Sequence, residues 1–260
     1  MTTIPGPDLP PGTVVEHRPA DGAVWEFRDS RIEGVTFRRI ADGAEWMSFE
    51  RVVFVDCNFE DCDLQWEWGS HHERQDDAAH LVGCRVEGCD LRNTSLAFGR
   101  IERCTFDRCQ WLWPLTAVDL VDNVFLGIVE SLTIWGRDVT PADVIQPRAR
   151  RNELRGNDFR RADLRGLGLQ GEVPVRDQHW PGGPMCAIVD RIPERVAVIR
   201  ERTTASEDPV DRELHESTRW WAFTNEAQAR QSEAWLRWDD PLMPDFSNRF
   251  HRTLAETPLG

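Results

Sequence analysis

The chain has 260 residues, with 45 acidic residues against 31 basic ones and a net charge of −14. So large an acidic excess disfavours nucleic acid as a direct partner. No stretch has the length and apolarity of a membrane helix, and the first residues show no basic segment followed by an apolar one, so a cytoplasmic protein is expected.

Residues 1–24 are rich in proline and glycine and are expected to lead into, or cap, the main body of the chain. From about residue 25 the pattern becomes unusual, and it is clearest from Cys84 to Trp111. There an apolar residue returns every fifth position, at Val86, Leu91, Leu96, Ile101, Phe106 and Trp111. A helix needs a spacing near 3.6 and a half-buried strand a spacing of two, so a five-residue step signals a repeat architecture. Each unit carries a small residue two positions before the large one, as in Cys84-Arg-Val-Glu-Gly and Cys89-Asp-Leu-Arg-Asn. In an extended segment those two side chains point to the same side, which makes them the inward pair. Interruptions are expected near 38–46, 65–80 and 112–151, the last with blurred repeats around Leu120 and Phe125. Beyond Gly171 the pattern ends. A loop around Trp180 is followed by a region of helical character, with one amphipathic helix, or two with a break near Thr224, predicted over 211–238 and stopped by Asp239-Asp240-Pro241.

The unit resembles that of the pentapeptide-repeat family, whose consensus is approximately Ala-Asp/Asn-Leu-X-X. Ala162-Asp163-Leu164-Arg165-Gly166 matches it, and further runs in phase occur at Phe27, Ile32 and Phe37, at Phe49, Phe54, Phe59 and Leu64, and at Leu154, Phe159, Leu164 and Leu169. The resemblance implies a mainly β fold, a right-handed four-sided β-helix over residues 25–171, followed by a loop and helical C-terminal region over 172–260. Four sides of five residues place positions twenty apart over one another. Cys84 is then expected beneath Cys104, Cys89 beneath Cys109, Val86 beneath Phe106 and Leu91 beneath Trp111. With the first two interruptions excised, Phe27, Phe54, Val86 and Phe106 are expected to share a column, Ile32, Phe59, Leu91 and Trp111 the next, and Cys57 to join Cys89 and Cys109.

Six of the seven cysteines occupy the small inward position, where cysteine serves as a small hydrophobe; zinc knuckles use closer spacings. No phosphate loop, nucleophile elbow or catalytic constellation is present, and neither a metal nor a cofactor is expected. The strongest binding candidates are Trp66, Trp68, His71 and His72 in the second interruption, because segments projecting from rigid scaffolds often carry function. The preferred reading is a non-enzymatic scaffold with a protein partner. The family resemblance supplies an alternative, a DNA mimic that binds or protects a type II topoisomerase. The charge is uneven, however: residues 25–66 hold ten acids against five arginines, and residues 148–165 hold seven arginines against three acids. A metal-dependent or thiol enzyme resting on His71, His72 and Cys186 ranks last. The C-terminal region leaves a homodimer open.

Overall fold

The computed structural model describes residues 3–16, 24–40, 47–64, 80–92, 99–111, 114–115, 118–137, 151–228 and 231–259. The unit Cys84–Gly88 shows how the sequence makes a coil. Arg85–Glu87 is extended, Cys84 and Val86 are buried, and Gly88 then turns the chain in the left-handed region at φ 64°. Asp29, Asp56, Asp61, Arg103, Arg108 and Asp122 turn the same way, each immediately after a strand. That conformation costs a non-glycine residue roughly 1–2 kcal/mol, least for aspartate, whose short side chain bonds locally. Glycine is required at Gly83 and Gly156 for a second reason. The carboxylates of Asp56 and Asp122, from the turn below, fill the space a Cβ would need.

The molecule is mainly β. Its coil strands pair in parallel and stack as a solenoid, with helices at the C-terminal end. One sheet stacks Ile32, Phe54, Leu81, Ile101, Leu120 and Leu154 into an apolar column. The chain then turns into a second sheet, whose column runs Val15, Phe37, Phe59, Val86, Phe106 and Phe125. A third side follows in the bridges Asp63 to Asp90 to Gln110, continued by the pairing of 127–130 with 162–165. The side preceding the first sheet is formed near the N-terminus by Thr3–Pro5, Val24–Arg28 and Met47–Glu50, and near the coil's end by Pro114–Leu115, Thr133–Trp135 and Gly168–Gln170. Stacked rings dominate the second column: Phe106 on Phe125 at 5.3 Å, Phe125 on Phe159 at 4.4 Å and Phe159 on Trp180 at 4.9 Å.

Val86 pairs with Phe106 and Cys84 lies under Cys104, a step of 20 residues. The earlier columns differ from expectation. Phe27 pairs with Phe49, and Phe54 pairs with Ile32 and Leu81, while Val86 rests on Phe59. The steps there are 22 and 27 residues. Excising both interruptions whole displaces the expected columns by one five-residue face at each, as the shorter steps show. For the same reason Cys57 joins the column of Cys84 and Cys104, and Cys62 joins that of Cys89 and Cys109. Within 112–151, Asp119–Val121, Val124–Glu130 and Thr133–Trp135 are coil strands, so the blurred repeats at Leu120 and Phe125 are ordinary rungs. The blurring comes from Asn123 in the small slot and from a step of 19 residues.

Past the coil, Cys186–Val189 pairs antiparallel with Ala234–Arg237. Helices α1 (Ile192–Thr203), α2 (Pro209–Gln228) and α3 (Asp245–Glu256) surround this pair. Helix α1 buries Ile192, Val196, Ile199 and Thr203, one stripe at helical spacing. With Val189, Leu214, Ala234, Phe250 and Leu254, its apolar members form a second core. The helix predicted to reach residue 238 therefore ends by 228. Trp235 faces the coil and Leu236 the helices, an alternation of period two that tertiary packing realises as a strand.

Candidate binding surfaces

Trp66, Trp68, His71 and His72 lie outside the described residues. The described coil residues on either side are Leu64, which is buried, and His80, at the start of a strand. The small-slot thiols are buried against backbone carbonyls. Cys57, Cys84 and Cys109 place their sulfurs 3.4–3.5 Å from the carbonyls of Ile32, Phe54 and Val86, and burial pushes the Cys109 thiol up to about 12. Cys186 stands apart, half-buried, with its sulfur 3.4 Å from the Pro181 carbonyl and its pKa raised by burial. Among the described residues no three histidines, cysteines or carboxylates are grouped to hold a metal ion.

The outward faces carry charge that is largely paired within and between turns. Arg100 reaches Glu102 at 2.8 Å, Glu153 at 2.6 Å and Asp119 at 3.7 Å. Arg38 joins Glu16 and Glu60, and Arg85 joins Glu87 and Asp107. Hydrogen bonds from arginine hold the carboxyls of Glu102 and Glu153 below their usual range, and Arg160 brings Asp158 down to about 2. Such half-exposed pairs contribute little stability each, about 0–1 kcal/mol. Their effect on recognition is larger, since they hold arginines that would otherwise be free to meet phosphates, while the net charge stays at −14.

The coil's C-terminal end is the most elaborated part of the described surface. In the small column the cysteines give way to Asn123, Asn157 and Gln178. Asn123 Nδ2 donates to Ile101 O and to Asn157 Oδ1, both at 2.9 Å. Asn157 Nδ2 donates to Leu120 O and to Gln178 Oε1, both at 2.8 Å, and Gln178 Nε2 donates to Leu154 O at 3.0 Å. Trp180 closes the apolar column, its Nε1–H donating to Val175 O, and Trp235 of the C-terminal unit stacks on it at 5.8 Å. Gln231 clamps Val173 by two bonds, Arg237 pairs with Asp163, and Asp240 accepts from the Gly166 N–H. Between the strand Gly168–Gln170 and this unit lies a cavity of about 240 Å³, walled by Leu167, Leu169, Trp221, Trp235, Met243 and Phe250 and reached by His251. Burial lowers the His251 pKa, and its Nδ1 lies 3.0 Å from the Arg237 carbonyl, which makes Nδ1 the donor.

Sequence reasoning singles out Trp220 and Trp221 for burial against the coil end. Trp221 does line the cavity there. The principal seal, Trp180 on Trp235, escapes it because one tryptophan sits in a proline-glycine loop and the other in a segment read as helix. Asn123 and Asn157 were findable, since each occupies the small slot of a unit whose large residue is Phe125 or Phe159.

No protein-family model matches the chain, and no curated protein sequence does. Among solved structures, a trypsin-treated variant of QnrB1, a plasmid-mediated fluoroquinolone resistance protein, is 18% identical over 66% of this chain and 86% of its own, with a TM-score of 0.25. A second trypsin-treated QnrB1 variant is 16% identical over 70% of this chain and 89% of its own, at 0.20. Full-length QnrB1 is 13% identical over 60% and 92%, at 0.17. With superpositions this loose, the fold rests on the strand ladders described above and not on these likenesses.

Proposed function

We propose that the chain is a non-enzymatic scaffold of the pentapeptide-repeat kind, a right-handed four-sided β-helix that binds a protein partner in the cytoplasm. The pairing of outward charge, as around Arg100, supports this reading. Arginines held in this way offer little free positive charge to nucleic acid, so recognition falls to shape and to the segments that interrupt the coil. Trp66, Trp68, His71 and His72 are the proposed contacts. Deleting residues 66–78 is expected to leave the melting temperature nearly unchanged while abolishing partner capture; equal capture by the deletion would move the contact elsewhere.

A second reading is a DNA mimic that binds or protects a type II topoisomerase. It would give this chain the property that the name of QnrB1 states, and it stands on the repeat pattern and the net charge of −14. Rescue of gyrase supercoiling from a fluoroquinolone by the purified chain supports it. Supercoiling and drug sensitivity that stay unchanged across a broad titration remove it. Among the described residues no helix is long and apolar enough to cross a membrane.

A further inference from the structure

The end of a parallel coil exposes the backbone of its last turn, and here three of four sides are closed by identifiable groups. On the first sheet, Gly156 N donates to Asp177 O at 2.7 Å and Gln178 Nε2 donates to Leu154 O. On the second, Phe159 N donates to His179 O at 2.7 Å, and His179 N donates to Asn157 O at 2.9 Å. On the third, Arg237 Nη1 donates to Leu164 O at 3.0 Å and Gly166 N donates to Asp240 Oδ2 at 2.6 Å. The fourth side is the strand Gly168–Gln170, at the edge of its sheet. Gly168 N donates back to Leu132 O, and Gln170 O accepts from Gly136 N. Bonding directions alternate along a parallel strand, so the N–H and C=O of Leu169 point forward, away from the preceding turn. Neither has a partner among the described residues, and the strand lines the cavity.

We propose that this cavity binds an extended peptide segment centred on one apolar residue, which adds the strand missing from the fourth side. The occupant continues the stacking by which every turn of the coil docks on the one before, about 4.8 Å further along the axis. Its backbone supplies an acceptor for the Leu169 N–H and a donor for the Leu169 carbonyl. Its inward side chain falls on the column of Ile134 and Leu169, with Trp221, Met243 and Phe250 opposite, and is therefore apolar. A carboxylate finds no free arginine there, because Arg237 is held by Asp163 and Asp239, and it would meet the buried Asp240 as a like charge. The volume lies below the roughly 300–1,000 Å³ of drug-sized pockets, which suits a single inserted residue with its adjoining peptide groups. This site is separate from the segment 65–80 and does not depend on the partner proposed above.

The test titrates the full chain calorimetrically with acetyl-Ser-Leu-Ser-amide, with the same peptide carrying glutamate for leucine, and with the leucine peptide N-methylated at the residue after leucine. Saturable binding of the first, weakened at least about tenfold by either change, is expected. Met243→Trp, which fills the cavity without touching the strand ladder, should abolish binding. Independently of any variant, the Leu169 amide resonance of the wild-type chain should shift on saturation while that of Phe159, on a closed side, stays in place. Absence of saturable binding up to the solubility limit, equal binding of the three peptides, or an unmoved Leu169 resonance at saturation would overturn the proposal.

Discussion

Replacing Asn157 with leucine tests the buried polar ladder directly. The side chain is almost wholly buried, and its amide donates to Leu120 O and Gln178 Oε1 while its Oδ1 accepts from the backbone and side chain of Asn123. Leucine has a similar shape but satisfies none of these groups. The Leu120 carbonyl and the backbone and carboxamide N–H groups of Asn123 would each be left buried without that partner, at about 1–3 kcal/mol apiece, while Gln178 Oε1 keeps the Asn157 backbone N–H. Burying the added apolar surface returns about 1–2 kcal/mol. The net loss is therefore expected at about 1–8 kcal/mol, read as the change in unfolding free energy in urea. Asn157→Cys should cost less, because its thiol can face the Leu120 carbonyl as Cys84 faces that of Phe54. A leucine variant within about 0.5 kcal/mol of wild type, or a cysteine variant as damaging as leucine, would refute the claim that unsatisfied polar groups set the cost.

Gly83→Ala meets both a left-handed backbone and the Asp56 carboxylate, so a loss of about 1–3 kcal/mol in urea denaturation is expected, relieved in part by Asp56→Ala. Trp235→Ala removes the ring stacked on Trp180, and limited proteolysis should then cleave within 184–260 well before the coil is cut. His80 and His251 are held below the ordinary imidazole value by burial, so the folded chain binds fewer protons than the unfolded one. Their contribution is complete above about pH 6.5 and is lost as pH falls below it, a slope in stability that His251→Gln should reduce. A further decline is expected as pH drops from about 4 towards 2, where the arginine-paired carboxyls of Glu102 and Asp158 protonate; 1 M salt should weaken it.

The coil was legible in the sequence because its inward positions repeat with so little variation. Val86, Ile101 and Phe106 announce the step, and Cys84 and Cys104 announce the small slot. Placement across the interruptions was not, because hydrophobic phase repeats every five residues and is blind to which face a run occupies. Phe54 fits equally well over Phe27 or Ile32 until the backbone ladder chooses Ile32. The strand Ala234–Arg237 was hidden for a different reason: four residues beside a long helix carry too little periodicity of their own, and pairing with Cys186–Val189 decides their state. Of the binding features, the paired charges follow from an Arg-X-Glu spacing visible at Arg31-Ile-Glu33, Arg85-Val-Glu87 and Arg100-Ile-Glu102. The cavity at the coil's end is an outcome of long-range packing and left no local mark.

Near-identical turns create a hazard that a stack of varied elements does not have. A turn displaced by one rung would still bury phenylalanine on phenylalanine and would gain almost the same contact energy. The ladder of Asn123, Asn157 and Gln178 makes such slippage costly at one end of the stack. Shifted by a turn, an asparagine would face a cysteine and lose the amide that completes its bonds, while the neighbouring asparagine would lose its own. The polar rungs thus act as an index mark, fixing which turn is last and where the tryptophan seal closes.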